Sequence, residues 1–91
     1  MRRGDQIAYI PDHAKAEGLT HPDVEFGFVD SISFVDSDRI FCRYWIQNRP
    51  GVLRTTANSE GTNIQDLVLH ISVPHPVVVS VISKIDREDK L

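Results

Sequence analysis

The octapeptide RIFCRYWI at residues 39–46 constrains the fold most, because its side chains alternate as they do in a β-strand. One face of this predicted strand is apolar and consists of Ile40, Cys42, Tyr44 and Ile46. The opposite face carries Phe41, Arg43 and Trp45. The apolar face predicts a strand that packs on a core, and the second face predicts one that is available for contacts.

A second, bent strand is predicted at about residues 24–34, before the hairpin turn VDSD at 35–38. Val29 and Ile32 are three residues apart, so both face one core only if a bulge near Asp30 and Ser31 shifts the register. A sharply bent second strand is what a small barrel requires.

Short strands are also predicted at about residues 5–10, at 52–57 and at VLHI, residues 68–71. Pro11 ends the first strand, and Thr62 with Gln65 forms a capping box that predicts a single helical turn before the last. The predicted fold is mainly β: a small five-stranded SH3-like barrel over residues 1–72, with a long first loop at 12–23.

The tail at residues 73–91 fits two structures. Its valines and isoleucines favour a strand by propensity, whereas Val78, Val81, Ile82 and Ile85 follow helical spacing. Pro76 suits the first turn of a helix. We therefore predict a short C-terminal helix at about 76–87, packed on the barrel.

Composition limits the classes of function. The chain has 91 residues, a net charge of −3 and a single cysteine, Cys42, so one domain without an internal disulfide is expected. No apolar run approaches the roughly 20 residues of a membrane helix, and the N-terminus does not read as a secretory signal. We expect a soluble protein of a reducing cytoplasm. The acidic balance disfavours nucleic-acid binding, which depends on clustered Lys and Arg.

Three blocks, GDQIAYIPDHA, HPDVEFGFVDSIS and NIQDLVLH, carry a resemblance over residues 4–70. The pattern of a Gly-Asp turn, Tyr-x-Pro-x-His-Ala, His-Pro-Asp-x-Glu-x-Gly and a closing Asp-Leu-Val resembles a group of short uncharacterised bacteriophage and prophage proteins. The chain departs from that pattern at KAEGLT and in its tail. The resemblance implies a phage origin, and with it the cytoplasm of a bacterial host cell, and a small-barrel fold. It implies no particular activity.

The first loop is rich in groups that bind ligands. His13, His21 and Asp23 have the chemistry of metal ligands, but two histidines eight residues apart match no rigid spacing. The competing interpretation is that these side chains cap turns and hold the loop against the sheet. The sequence therefore predicts no metal and no cofactor.

Catalysis has little support. Asp23 and Glu25 would share one face of a strand about 6–7 Å apart, a spacing that does not single out an acid–base pair. Cys42 lies on the predicted core face, where a thiol acts as a small hydrophobe. An aromatic cage for a methylated cation is a further alternative, with Trp45 as its most informative ring. We do not expect an enzyme.

The interpretation we adopt is a non-enzymatic binding module that engages a host or phage protein. The predicted binding residues are His13, His21, Asp23, Glu25, Phe41, Arg43 and Trp45. The alternatives are a nucleic-acid-binding small barrel that uses Arg43, Arg49 and Arg54, and an anti-defence inhibitor of a bacterial nuclease complex. No membrane partner is expected.

Overall fold

The chain is described by a computed structural model that covers residues 1–32, 39–54 and 60–89. An antiparallel sheet of six strands is followed by one helix. The strands are β1 Gln6–Tyr9, β2 Glu25–Ile32, β3 Arg39–Ile46, β4 Arg49–Leu53, β5 Glu60–Asn63 and β6 Leu67–Leu69, and the helix is α1 His75–Asp89. Single turns of 3₁₀ helix form at Asp12–Ala14, Gly18–Thr20 and Ile64–Asp66. None of the helices in these ranges has the length and apolar character that crossing a bilayer requires.

The long strands β2 and β3 form the centre of the sheet. Val29 pairs with Cys42 and Ser31 pairs with Phe41, so one residue of β2 is extra, and the bulge predicted at this point is confirmed. At Gly27 the backbone of β3 leaves no room for a side chain, since a Cβ atom there would be 1.9 Å from the Arg43 carbonyl oxygen. The bulge and Gly27 together allow β2 to bend while it stays paired with β3.

Strand β3 has neighbours on both edges. It pairs with β2 on one side, and on the other it pairs with β5 through Arg39–Cys42 and with β4 near Trp45. β1 pairs with β2, and β6 pairs with β1, so the order along the sheet is β4-β3-β2-β1-β6. Over the part of the chain that the structure describes, this path does not close on itself, and the barrel stays a prediction.

Three predictions about the second half of the chain need correction. The count of five strands is wrong, because β5 adds a sixth. The fourth strand begins earlier, at Arg49, and residues 55–57 of the predicted strand lie outside the described residues, as does the predicted turn at 35–38. The cap of the helical turn is Asn63 rather than Thr62: its side chain accepts a hydrogen bond from the Gln65 amide at 3.0 Å.

The sheet has a core on each face. The first cluster contains Ile7, Val29, Ile40, Cys42, Tyr44 and Leu67. The second lies beneath α1 and contains Phe28, Trp45, Val73, Val78 and Ile85. The C-terminal helix is therefore confirmed, and its apolar stripe packs on the sheet as the spacing indicates.

An ion-pair network joins the N-terminus to α1. The Arg3 guanidinium bonds Asp86 of the helix at 2.8 Å and Asp30 of the bulge at 3.3 Å. Arg43 Nε donates to the other Asp30 oxygen at 3.0 Å. The bulged residue of β2 thus provides the carboxylate on which both guanidinium groups converge.

Candidate functional site

The first loop is folded rather than extended. Its backbone makes successive turns, with hydrogen bonds from the Ala14 amide to the Pro11 carbonyl at 2.9 Å and from the His21 amide to the Gly18 carbonyl at 3.2 Å. Ala14 is fully buried in a third apolar cluster with Ala8 and Val24, which fixes the loop to β1 and β2. Two single turns of 3₁₀ helix, Asp12–Ala14 and Gly18–Thr20, make up much of this loop.

Two side-chain bonds anchor the loop to the rest of the sheet. Lys15 Nζ lies 2.5 Å from Asp66 Oδ1, in the turn before β6. The Gln47 side-chain amide, after β3, donates to the Pro22 carbonyl. Both ends of the loop are therefore fixed by residues that are distant in sequence.

His13, His21 and Asp23 come together at the surface of this loop. His13 Nε2 lies 2.6 Å from Asp23 Oδ2, and the two imidazole rings meet edge to face with centroids 5.3 Å apart. His21 Nδ1 accepts a hydrogen bond from the Asp23 amide at 3.0 Å. The hydrogen bond with His13 lowers the pKa of the Asp23 carboxyl, so this group is ionised at neutral pH.

Glu25 has a separate basic partner. Its Oε1 lies 2.5 Å from Arg54 Nη1, and the same guanidinium lies over the Tyr44 ring, 5.3 Å from the centroid. Asp23 and Glu25 therefore do not form a pair of carboxylates: one is bonded to an imidazole, and the other to a guanidinium.

A cleft of about 460 Å³ opens between the loop and the β3–β4 hairpin. Its apolar walls include Tyr9, Pro11, Phe26, Ile46 and Pro50. Its polar groups include His13, Asp23, Glu25, Gln47 and Arg54. Four of the predicted binding residues line this cleft, namely His13, Asp23, Glu25 and Trp45, and His21 stands beside it against His13.

Phe41 and Arg43 are not among the residues that line the cleft. Arg43 bonds Asp30 in the ion-pair network, and Phe41 packs close to Gly61 of β5. Trp45 also lines the cleft, but it is only 4% exposed and belongs to the core beneath α1. The predicted single surface is thus divided by the packing of the helix.

The rings of the proposed aromatic cage are largely core residues. Phe28, Tyr44 and Trp45 are each at most 4% exposed, which leaves Tyr9 and Phe26 as the partly exposed rings near the cleft. Burial also raises the pKa of the Cys42 thiol to about 11, so at neutral pH it is a protonated, enclosed group.

Sequence reasoning missed the far wall of the cleft, which Ile46, Gln47 and Pro50 supply. The signal for this wall was the turn QNRPG, which places residues on either side of a tight connection, but nothing local indicates that they face the first loop.

Searches for related proteins gave no match to a family model, to a curated protein or to a solved structure.

Proposed function

We propose that this chain is a small, non-enzymatic binding module that engages a host or phage protein in a bacteriophage or prophage setting. The observation that carries the proposal is the cleft of about 460 Å³, since apolar walls with a few placed polar groups are the usual composition of a binding site. The resemblance of the sequence to short phage proteins supports the setting, and the strand order β4-β3-β2-β1-β6 supports an SH3-like barrel.

The chemistry of the cleft favours a particular kind of protein segment. Tyr9, Phe26 and Ile46 offer an apolar surface for one large side chain, and three prolines, Pro11, Pro22 and Pro50, stiffen the lining. The Asp23 carboxylate is exposed at one end, whereas Arg54 is paired with Glu25 at 2.5 Å. The occupant that fits is a segment with an apolar anchor and a neighbouring Lys or Arg.

Nucleic acid fits less well. Arg43 and Arg54, two of the three arginines on which that alternative depends, bond the carboxylates Asp30 and Glu25. A paired guanidinium contributes little to the neutralisation of phosphates, and the net charge is −3. A protein with a basic surface, such as the channel of a nuclease complex, would be attracted by the net negative charge of this chain.

The test is an affinity capture from bacterial lysate with the full chain as bait, with and without nuclease, followed by reconstitution with the purified partner. The cleft variant is the double change Ile46→Ser and Pro50→Ser, which leaves the loop residues His13 and Asp23 intact. The matched control is Val52→Ser, because Val52 is an apolar residue of β4 that is 47% exposed and does not line the cleft.

We expect a nuclease-resistant partner that binds the wild-type chain and Val52→Ser with equal affinity, and the double variant roughly tenfold or more weakly. Circular dichroism checks that all three proteins are folded. A partner that the double variant retains, or one that is lost on nuclease treatment, would contradict the proposal, and so would the absence of any partner. Loss on nuclease treatment would instead favour the nucleic-acid alternative.

A further inference from the structure

The cluster of His13, His21 and Asp23 has the arrangement of a metal site. Each residue offers one ligand atom, and these three atoms all lie within 4.8 Å of one another. His13 and His21 are eight residues apart in the sequence, and it is the two 3₁₀ turns of the loop that bring their rings together. The convergence therefore depends on the folded loop and not on sequence spacing.

The donor atoms select a class of metal ion. Two imidazole nitrogens and one carboxylate oxygen suit borderline divalent ions such as Zn²⁺, whereas Mg²⁺ and Ca²⁺ prefer sites made of oxygen atoms. Three protein ligands also leave at least one coordination position for water or another group.

Small movements are enough to complete the coordination. Zinc bonds of about 2.0–2.2 Å place neighbouring ligand atoms roughly 3.4 Å apart in a tetrahedral site. His13 Nε2 and Asp23 Oδ2, now 2.6 Å apart, would therefore separate by under about 1 Å as the metal replaces the shared hydrogen. The remaining adjustment of the ligand atoms can come from side-chain rotation, because 62% of the His13 side chain and 59% of the Asp23 side chain are exposed.

The loop backbone holds His21 and Asp23 in place. The Val24 amide donates to the His21 carbonyl at 3.1 Å, and the Asp23 amide donates to His21 Nδ1, which requires that nitrogen to be unprotonated. A neutral ring that accepts this bond carries its proton on Nε2, so zinc must either replace the amide at Nδ1 or displace the proton at Nε2. Buried Ala14, next to His13, holds the other side of the cluster in place.

We propose that His13, His21 and Asp23 bind one zinc ion at the rim of the cleft. Zinc binding can be tested apart from the protein-binding proposal, since it requires only these three side chains, although a bound ion would neutralise the Asp23 carboxylate that the proposed occupant meets. Because His13 and Asp23 also line the cleft, the open coordination position of the bound ion lies close to any occupant. A metal at this position would connect the loop ends and make the loop more rigid.

The first measurement is a calorimetric titration of the untagged, chelator-treated full chain with ZnCl₂, with MgCl₂ in parallel. We expect saturable binding of one zinc ion per chain and no binding of magnesium. The variants are His13→Gln and His21→Gln, each expected to weaken zinc affinity roughly tenfold or more. His75→Gln is the matched control, an exposed histidine outside the cluster that should leave the affinity unchanged.

A second measurement does not depend on the folding of any variant. Ring nitrogen resonances of the four histidines in the wild-type chain are followed by NMR during the zinc titration. His13 and His21 should shift together, while those of His70 and His75 should not. The proposal is overturned if zinc binding does not saturate, if His75→Gln weakens it equally, or if the His13 and His21 rings do not respond.

Discussion

The Gln6 side chain and the Val73 backbone form a reciprocal pair of hydrogen bonds between β1 and the segment that precedes α1. Gln6 Nε2 donates to the Val73 carbonyl at 2.7 Å, and Gln6 Oε1 accepts from the Val73 amide at 3.0 Å. The same oxygen accepts from the Ser72 amide at 3.0 Å. Gln6 is 6% exposed, so a buried amide fixes the position at which the chain enters the helix.

Replacing Gln6 with leucine should destabilise the protein by about 2–4 kcal/mol, because the buried Val73 amide and the partly buried Ser72 amide would lose their acceptor. Urea denaturation measures the change. The control is Gln65→Leu, at an exposed glutamine, for which a change within about 0.5 kcal/mol is expected. Equal stability of the two variants would show that the Gln6 bonds contribute little.

Gly27→Ala should prevent stable folding or cost more than about 3 kcal/mol, because its Cβ would lie 1.9 Å from the Arg43 carbonyl oxygen and 2.8 Å from the Tyr44 Cα. Gly18→Ala provides the comparison. Gly18 has a φ of +66° but open space around it, so only the strain of a left-handed conformation is expected, about 1 kcal/mol. Thermal melts of both variants test the order, and a Gly27→Ala protein as stable as Gly18→Ala would contradict it.

Ile85→Ala should lower the free energy of unfolding by about 2–4 kcal/mol, because Ile85 is 8% exposed in the core that α1 shares with Trp45. Val79→Ala, at a helix position that is 49% exposed, should change it by less than about 0.5 kcal/mol. Trp45 fluorescence during denaturation reports on the same core. If the two substitutions have equal effects, the helix does not contribute its predicted stripe to that core.

Stability should decline between about pH 9 and pH 11 through Cys42, whose pKa is raised by burial from 9.0 to about 11. In this range the unfolded chain loses the thiol proton and the folded chain keeps it, so rising pH favours unfolding. The Tyr44 hydroxyl, whose pKa burial also raises, contributes in the same direction at higher pH. Urea denaturation of wild type and Cys42→Ala across this range isolates the thiol. Parallel curves for the two proteins would rule out its contribution.

Local patterns were sufficient for the elements with strong signals. Alternation in RIFCRYWI predicted β3, the three-residue step from Val29 to Ile32 predicted the bulge, and helical spacing after Pro76 predicted α1. Strand β5 had no such signal: Glu60–Asn63 reads EGTN, and of these only threonine favours a strand. It pairs because β3 presents an open edge, which is a property of the assembled sheet.

A mainly β fold with a C-terminal helix follows from the sequence, because the periods of strands and helices are visible in the order of neighbouring side chains. The roles of the charged and aromatic residues depend on the tertiary structure. It bonded Asp23 to His13 and Glu25 to Arg54, and it buried Trp45 beneath α1. These contacts join residues that are far apart in the chain. The packing of the loop and the helix on the sheet brings them together, and no local periodicity of the sequence predicts them.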